Sequence, residues 1–259
     1  MKRSSYLAKG CMVALASLFF VSVSAQEKEY PKPERMTPGM SEFWTPQPPI
    51  VTPGVDYTIA PPSDAIVLFD GTNLDAWQSS RGGGEAKWTI KDGAFTVTPR
   101  TGDIETKQHF NSFQLHIEWT APTVVKGESQ GRGNSGIFLQ GMYEVQILDC
   151  YQNETYSNGQ TGSIYKQTRP LANVMRKPGE WNVYDIIYNA PTFKEDGTYR
   201  TAPTVTVIHN GVVLQNHTTI LGTTEYIGFP KVTPHGAGPI KLQDHGDLVN
   251  FRNIWIREL

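Results

Sequence analysis

The chain has 259 residues, 38% of them hydrophobic and 19% charged, with a formal net charge of −2. Such a mildly acidic balance gives no support to a nucleic-acid or anionic-membrane partner, either of which calls for a basic surface. The length suffices to bury a substantial core.

The first residues read as a signal peptide over 1–25. Lys2, Arg3 and Lys9 form a positive start, Cys11–Val23 is an apolar stretch, and Val23-Ser24-Ala25 is a small-x-small cleavage pattern. The stretch is too short for a membrane span of about 20 residues. Cys11 precedes the apolar stretch, whereas a lipidated cysteine follows it, so lipidation is not expected. The reading is an exported protein, periplasmic or extracellular, with no transmembrane segment. Its mature part keeps 20 basic and 25 acidic side chains, and Cys150 as the one cysteine. An intramolecular disulfide is then excluded, and Cys150 reads as a small apolar residue rather than a nucleophile.

Residues 26–63 hold nine of the 18 prolines. This proline-rich leader can form neither helix nor inner strand. Phe43, Trp44, Ile50, Val51 and Tyr57 punctuate it, which predicts docking along the domain surface. From Asp64 to Leu259 strand-like runs alternate with turn signals. AIVLF (65–69) ends at Asp70-Gly71. WTI (88–90) and AFTV (94–97) flank Lys91-Asp92-Gly93, a hairpin signal. FQLHIEW (113–119) alternates cleanly, and GIFLQ (136–140) and YEVQILD (143–149) flank Gly141-Met142. WNVYDIIYNA (181–190) follows, then TVTVIHN (204–210) and GVVLQN (211–216) joined through Asn210-Gly211. IKLQDHG (240–246) and LVNFRNIWIREL (248–259) close the chain. The best short helix candidate is Leu171–Arg176, and no stretch supports three helical turns. The fold class is therefore all-β, a sandwich or jelly roll.

Side chains two apart share a strand face. Gln114, His116 and Glu118 form one polar row, Glu144 and Gln146 a second, and Lys241, Gln243 and His245 a third. Neighbouring strands would merge these rows into one concave patch, in which amides and carboxylates meet sugar hydroxyls and rings cover pyranose faces. Trp77, Trp88, Tyr143, Tyr165 and Trp181 are candidate rings. G-R-G-N-S-G (131–136) is not a phosphate loop, since neither the lysine-serine ending nor a following helix is there. Its Arg132 could clamp an oxyanion. His245 with Asp244 and Asp247 offers donors for a divalent ion, calcium or a transition metal, but diagnostic spacing is absent. No cofactor and no metal ligand is assigned. Asp149 falls on the face opposite Glu144, which weakens a two-carboxylate glycosidase mechanism.

LFDGTNLDAW (68–77), WTIKDGAFTV (88–97), RGNSGIFLQGMYEVQILD (132–149), KPGEWNVYDI (177–186), TVIHNGV (206–212) and PIKLQDHGDLVNFRNIWI (239–256) together resemble the 3-keto-disaccharide hydrolase family. The resemblance covers residues 64–259. It implies a concanavalin A-like jelly-roll β-sandwich and cleavage of glycosides oxidised at C3, so that the partner is a carbohydrate, a 3-keto-sugar. A C3 ketone acidifies the C2 proton; a base removes it, and the C1 oxygen leaves. Stopping there gives a lyase, and adding water gives net hydrolysis. Glu144 is the expected base, Glu118 or His245 the acid, and Arg132 the group that stabilises negative charge. Asn134, Gln146, Lys166 and Gln243 are expected to orient the sugar. An ordinary glycoside hydrolase and a noncatalytic carbohydrate-binding module are the alternatives. The sequence carries no signature of oligomeric state.

Overall fold

Strict alternation puts Phe113, Leu115, Ile117 and Trp119 on one side of a strand, and all four are fully buried. In the computed structural model, which describes residues 34–54 and 59–259, that strand lies at the centre of the larger of two packed sheets. Residues 1–25, expected to be a signal peptide, and the leader's Tyr57 lie outside the described residues.

In chain order the strands are β1 (Ile66–Phe69), β2 (Trp77–Ser79), β3 (Thr89–Lys91), β4 (Ala94–Thr96), β5 (Ile104–Thr106), β6 (Phe113–Thr120), β7 (Asn134–Leu139) and β8 (Tyr143–Leu148). They continue with β9 (Asn182–Asn189), β10 (Thr192–Phe193), β11 (Tyr199–Thr201), β12 (Thr204–His209), β13 (Val212–Thr219), β14 (Lys241–Leu242) and β15 (Asn250–Glu258). An eight-stranded sheet runs β13-β12-β9-β6-β15-β4-β3, with β1 also paired to β15. The second sheet has five strands in the order β2-β5-β14-β7-β8. β10 and β11 pair as a separate ribbon. The last strand thus pairs beside the first, and sheet neighbours are mostly distant in sequence, as in a jelly-roll, lectin-like sandwich.

The core fills the space between the sheets. The inward row of β6 meets Tyr184, Ile186 and Tyr188 of β9, and Ile137, Leu139, Val145 and Ile147 face them from β7 and β8. At the other end Phe95, Trp88 and Phe251 stack against one another, the last two at 5.9 Å and 22°. Truncating any one of these fully buried side chains to alanine costs about 2–5 kcal/mol. Two hairpins use the left-handed backbone that the sequence signals: Asp92-Gly93 (φ 52 and 75) and Asn210-Gly211 (φ 50 and 82). Leu171–Arg176 is not helical. It runs extended, with Asn173 bridged in parallel to Ile50, because its backbone groups bond outward to the leader.

Met36–Leu259 form one compact unit, so the described leader from Met36 onward belongs to the body that contains the sandwich. Val51 N donates to the Asn173 carbonyl (2.9 Å) and Asn173 N to that of Pro49 (2.8 Å). Further along, Arg257 forks onto Asp64 (2.8 and 2.6 Å), and Asn253 Nδ2 donates to the Ile59 carbonyl (3.0 Å). No helix among the described residues is long and apolar enough to cross a membrane.

Candidate active site

The five-stranded sheet turns one face to the core and the other outward, and the even-spaced rows of Glu144 and of Gln243 populate the outer face. Register aligns Glu105 of β5, Lys241 of β14, Phe138 of β7 and Glu144 of β8 across the sheet. One step along, Gly136 lies opposite Gln146, and Gln243 N donates to the Gly136 carbonyl (3.1 Å). Beyond β8 the chain continues the surface as an irregular segment: Gln146 N donates to Ser163 O (3.0 Å) and Tyr165 N to Glu144 O (3.1 Å). The resulting cavity of about 630 Å³ is lined by Asn134, Phe138, Glu144, Gln146, Gln243 and His245 from the sheet side. Gln130, Tyr156, Tyr165, Thr224, Tyr226 and Glu42 complete it. Its size and mixed polar and ring lining suit a small polar ligand.

Glu144 lies on the floor of this cavity and is 4% exposed. Burial pushes its carboxyl up to about 8; Lys241 pulls the value down, and Asp103 adds slightly to the rise. The carboxyl has room because residue 136 is glycine: a Cβ there would collide with Glu144 Oε1. Thr224 Oγ1 accepts from the Glu144 backbone N–H (2.9 Å), which ties the start of β8 to the opposite wall. Oriented with its nitrogen toward Glu144, the Gln146 amide donates to Oε1 (3.2 Å) and to the Ser135 carbonyl (3.0 Å). The Tyr156 and Tyr165 hydroxyls share a hydrogen bond of 2.7 Å. Desolvation pushes Tyr165 up to about 12 and Tyr156 higher still, so both stay protonated at neutral pH and can donate. Across the cavity, His245 Nδ1 lies 3.7 Å from Asp247 Oδ2, and that carboxylate also accepts from Asn134 N (3.2 Å).

Of the residues singled out in the sequence, Glu144, Gln146, Asn134, Gln243 and His245 line one cavity. Lys166 stands behind its wall. Its Nζ donates to the Pro38 and Tyr226 carbonyls (both 2.9 Å), pairs with Glu42 (3.5 Å) and lies 4.8 Å from the Tyr226 ring centre. Tyr165 is the one expected ring that reaches the cavity; Trp77, Trp88 and Tyr143 are core, and the Trp181 ring packs under Arg252.

Glu118 and Arg132 are not brought to the cavity. Glu118 belongs to β6 in the other sheet, and its row points away from the core on that sheet's outer side. Burial alone would raise its carboxyl. The His116 imidazole 3.7 Å away and hydrogen bonds from Asn253 (2.8 Å) and Arg252 (Nε 2.6 Å) outweigh that and hold it down to about 2. An acid held that low carries no proton to give, so Glu118 is a structural anion. Arg132 is committed to Asp149 (2.8 Å) and lines a separate depression with Thr123 and Tyr151. Asp244, a suggested ion ligand, instead accepts from the backbone N–H groups of Gly102 (2.9 Å) and Gly246 (3.0 Å). Among the described residues no three His, Cys, Asp or Glu side chains gather closely enough to hold a metal ion. Cys150 is buried, and desolvation raises its thiol to about 11, which leaves it unreactive.

Sequence reasoning missed Gln130, Phe138, Tyr156, Thr224, Tyr226 and Glu42. Phe138 was accessible in principle, since it shares the even row of Asn134 and Gly136 in a hairpin whose partner carries Glu144. Tyr156, Thr224 and Tyr226 lie in irregular segments with no periodicity to read, and Glu42 lies in the leader.

Comparison with known proteins gives a consistent result. Residues 64–257 match the family described as 3-keto-alpha-glucoside-1,2-lyase-like domain. A protein of Bacteroides thetaiotaomicron named 3-keto-disaccharide hydrolase is 28% identical over 255 residues, covering 75% of this chain and 78% of that one. A crystal structure from Parabacteroides distasonis ATCC 8503, of a protein provisionally assigned as a glycosyl hydrolase, is 71% identical. It covers 86% of this chain and 97% of its own, with a TM-score of 0.77. A second structure from the same organism, 22% identical with a TM-score of 0.55, covers 76% and 94% and shares the fold.

Proposed function

Given that the chain belongs to the 3-keto-alpha-glucoside-1,2-lyase-like family, a family of carbohydrate-active enzymes, we propose that it cleaves 3-keto-glycosides at Glu144. The observation that carries this reading is a single buried carboxyl on the floor of a polar cavity, with an imidazole and amides around it and a tyrosine wall. A ketone at C3 makes the C2 proton acidic, so one tuned base replaces the paired carboxylates of ordinary glycosidases. The Glu144 carboxylate takes the C2 proton, and negative charge develops on the C3 oxygen. The His245 imidazole, with Asp247 facing its other ring nitrogen, supplies an N–H for that oxygen, a role that a distant Arg132 cannot fill. Collapse of the enolate expels the C1 oxygen, which takes a proton from the Tyr156–Tyr165 hydroxyl pair on the wall that the leaving unit faces. The product is a 1,2-unsaturated 3-ketone. Addition of water at C1, with the proton returned to C2, completes hydrolysis. Gln130, Asn134, Gln146 and Gln243 bind the remaining hydroxyls. The keto ring lies over Glu144 between the Gln243–His245 side and the tyrosines, and the leaving unit extends toward Tyr226.

The pattern from Lys2 to Ala25 supports export of the enzyme, to the periplasm or beyond the cell. The test is incubation with 3-keto-trehalose and with unoxidised trehalose. Cleavage of the keto sugar alone supports the reading. Cleavage of the parent sugar returns it to an ordinary glycosidase, and binding without cleavage of either makes it a lectin-like module.

A further inference from the structure

The leader is fastened to the cavity wall by more than a tether requires. The Phe43 carbonyl accepts from Ser157 N (2.6 Å) and Oγ (2.5 Å), and Phe43 N donates to Asn158 Oδ1 (2.9 Å). Asn158 Nδ2 donates to Ser41 O (3.0 Å), Gln47 Nε2 to Thr155 O (3.0 Å) and Lys166 Nζ to Pro38 O (2.9 Å). Trp44 meets Tyr156 edge-on at 6.0 Å. Ser157 and Asn158 are fully buried beneath this strap. Buried polar groups dedicated to a backbone fix its position to hydrogen-bond precision. The residue they fix in place is Glu42, whose carboxyl lines the cavity between Lys166 and Tyr156 and is 19% exposed.

Glu42 lies outside the segment that matches the family, which begins at residue 64. An ionised carboxylate offers about four lone-pair sites, and the Lys166 ion pair at 3.5 Å occupies one side of it. The other side faces a cavity whose base is also an acid. Lys166 is nearly enclosed, its ammonium committed to two carbonyls as well as to Glu42, so it offers nothing directly to a ligand.

We infer that Glu42 is a specificity-determining residue, accepting hydroxyl hydrogen bonds from the leaving unit of the substrate and selecting neutral sugars over acidic ones. The inference rests on the 3-keto-glycoside reading above. A neutral hexose presents donors to this carboxylate, whereas a uronate brings a like charge beside Glu42.

The experiment compares kcat/KM on 3-keto-trehalose, whose leaving unit is glucose, with methyl 3-keto-α-glucoside, whose leaving unit is methanol. Glu42→Ala is expected to lower the ratio of the first to the second by about tenfold, chiefly through KM, as loss of one or two hydrogen bonds to the leaving unit requires. Glu42→Gln, which keeps an acceptor, should recover part of that ratio. It should also raise turnover of a 3-keto-glucoside carrying glucuronate as leaving unit. Equal loss on both substrates would show that Glu42 only holds the strap, and an unaltered ratio would show that it touches no substrate; either overturns the inference. Failure of wild-type protein to cleave either substrate is a different result, which removes the functional reading and this inference with it.

Discussion

A carboxyl buried among amides and rings holds its proton more tightly than the same group in the unfolded chain. For Glu144 the ordinary value of 4.5 rises to about 8. Between those values the folded chain keeps a proton that the unfolded chain releases. Glu144 therefore costs no stability below about pH 4.5, and its cost grows as pH rises to about 8, reaching roughly 3–5 kcal/mol. Replacing it with glutamine should raise the thermal midpoint at pH 8–9 and leave it little changed at pH 4, as differential scanning calorimetry would show. The same substitution should lower kcat by about 10²–10⁴, the contribution typical of a general base. Glu118 carries the opposite sign. Its folded value is depressed to about 2, so its stabilisation is full above about 4.5 and is lost as pH falls toward 2. Glu118→Gln should lower the thermal midpoint at neutral pH and leave kcat per folded molecule near wild type; a selective loss of kcat would restore Glu118 to the chemistry.

At the scale of elements, the two glutamates show what alternation encodes and what it leaves open. Even spacing assigned Gln114, His116 and Glu118 to a common face, as it did Glu144 with Gln146 and Lys241 with Gln243, and each row shares the face expected. Spacing carries no information about which strands become neighbours. β14, β7 and β8 pair side by side, whereas β6 pairs with β15 and β9 in the opposite sheet. Two rows merge into the cavity; the third faces away on the far side of the molecule. Hairpin strands were legible because turn and alternation agree. The short strands β2, β5, β10 and β11 were not read, because two or three residues hold too little pattern. The β7–β8 hairpin also supplies a sharp test. Gly136→Ala leaves φ permissible but sets a methyl group against the Glu144 carboxyl. Activity on a 3-keto-glycoside should fall at least tenfold while far-ultraviolet circular dichroism stays unchanged.

At the scale of the whole molecule, sandwich and leader together make the site. The sandwich supplies Glu144, the amides and His245, and the strap adds Glu42 to the lining. The leader does dock, but Phe43, Trp44, Ile50 and Val51, the residues that predicted it, stay 38–83% exposed and hydrogen bonds hold the strap instead. The cavity contact was not readable, because proline-rich sequence has no periodicity from which to place Glu42. Weakening the clasp with Asn158→Ala leaves two leader backbone groups without their partner. It should cost about 1–3 kcal/mol in denaturant unfolding. Cys150, buried just past the end of β8, should react with a thiol reagent only once the chain unfolds.

The central claim is that one buried base, Glu144, cleaves glycosides that already carry a C3 ketone. The most direct measurement is the pH dependence of kcat/KM on 3-keto-trehalose, for wild type and Glu144→Gln, with unoxidised trehalose alongside. The account predicts activity on the keto sugar alone, rising with pH through an apparent pKa near 8 in wild type and abolished in the variant. Cleavage of unoxidised trehalose, or a variant that retains wild-type turnover and its pH profile, would contradict it.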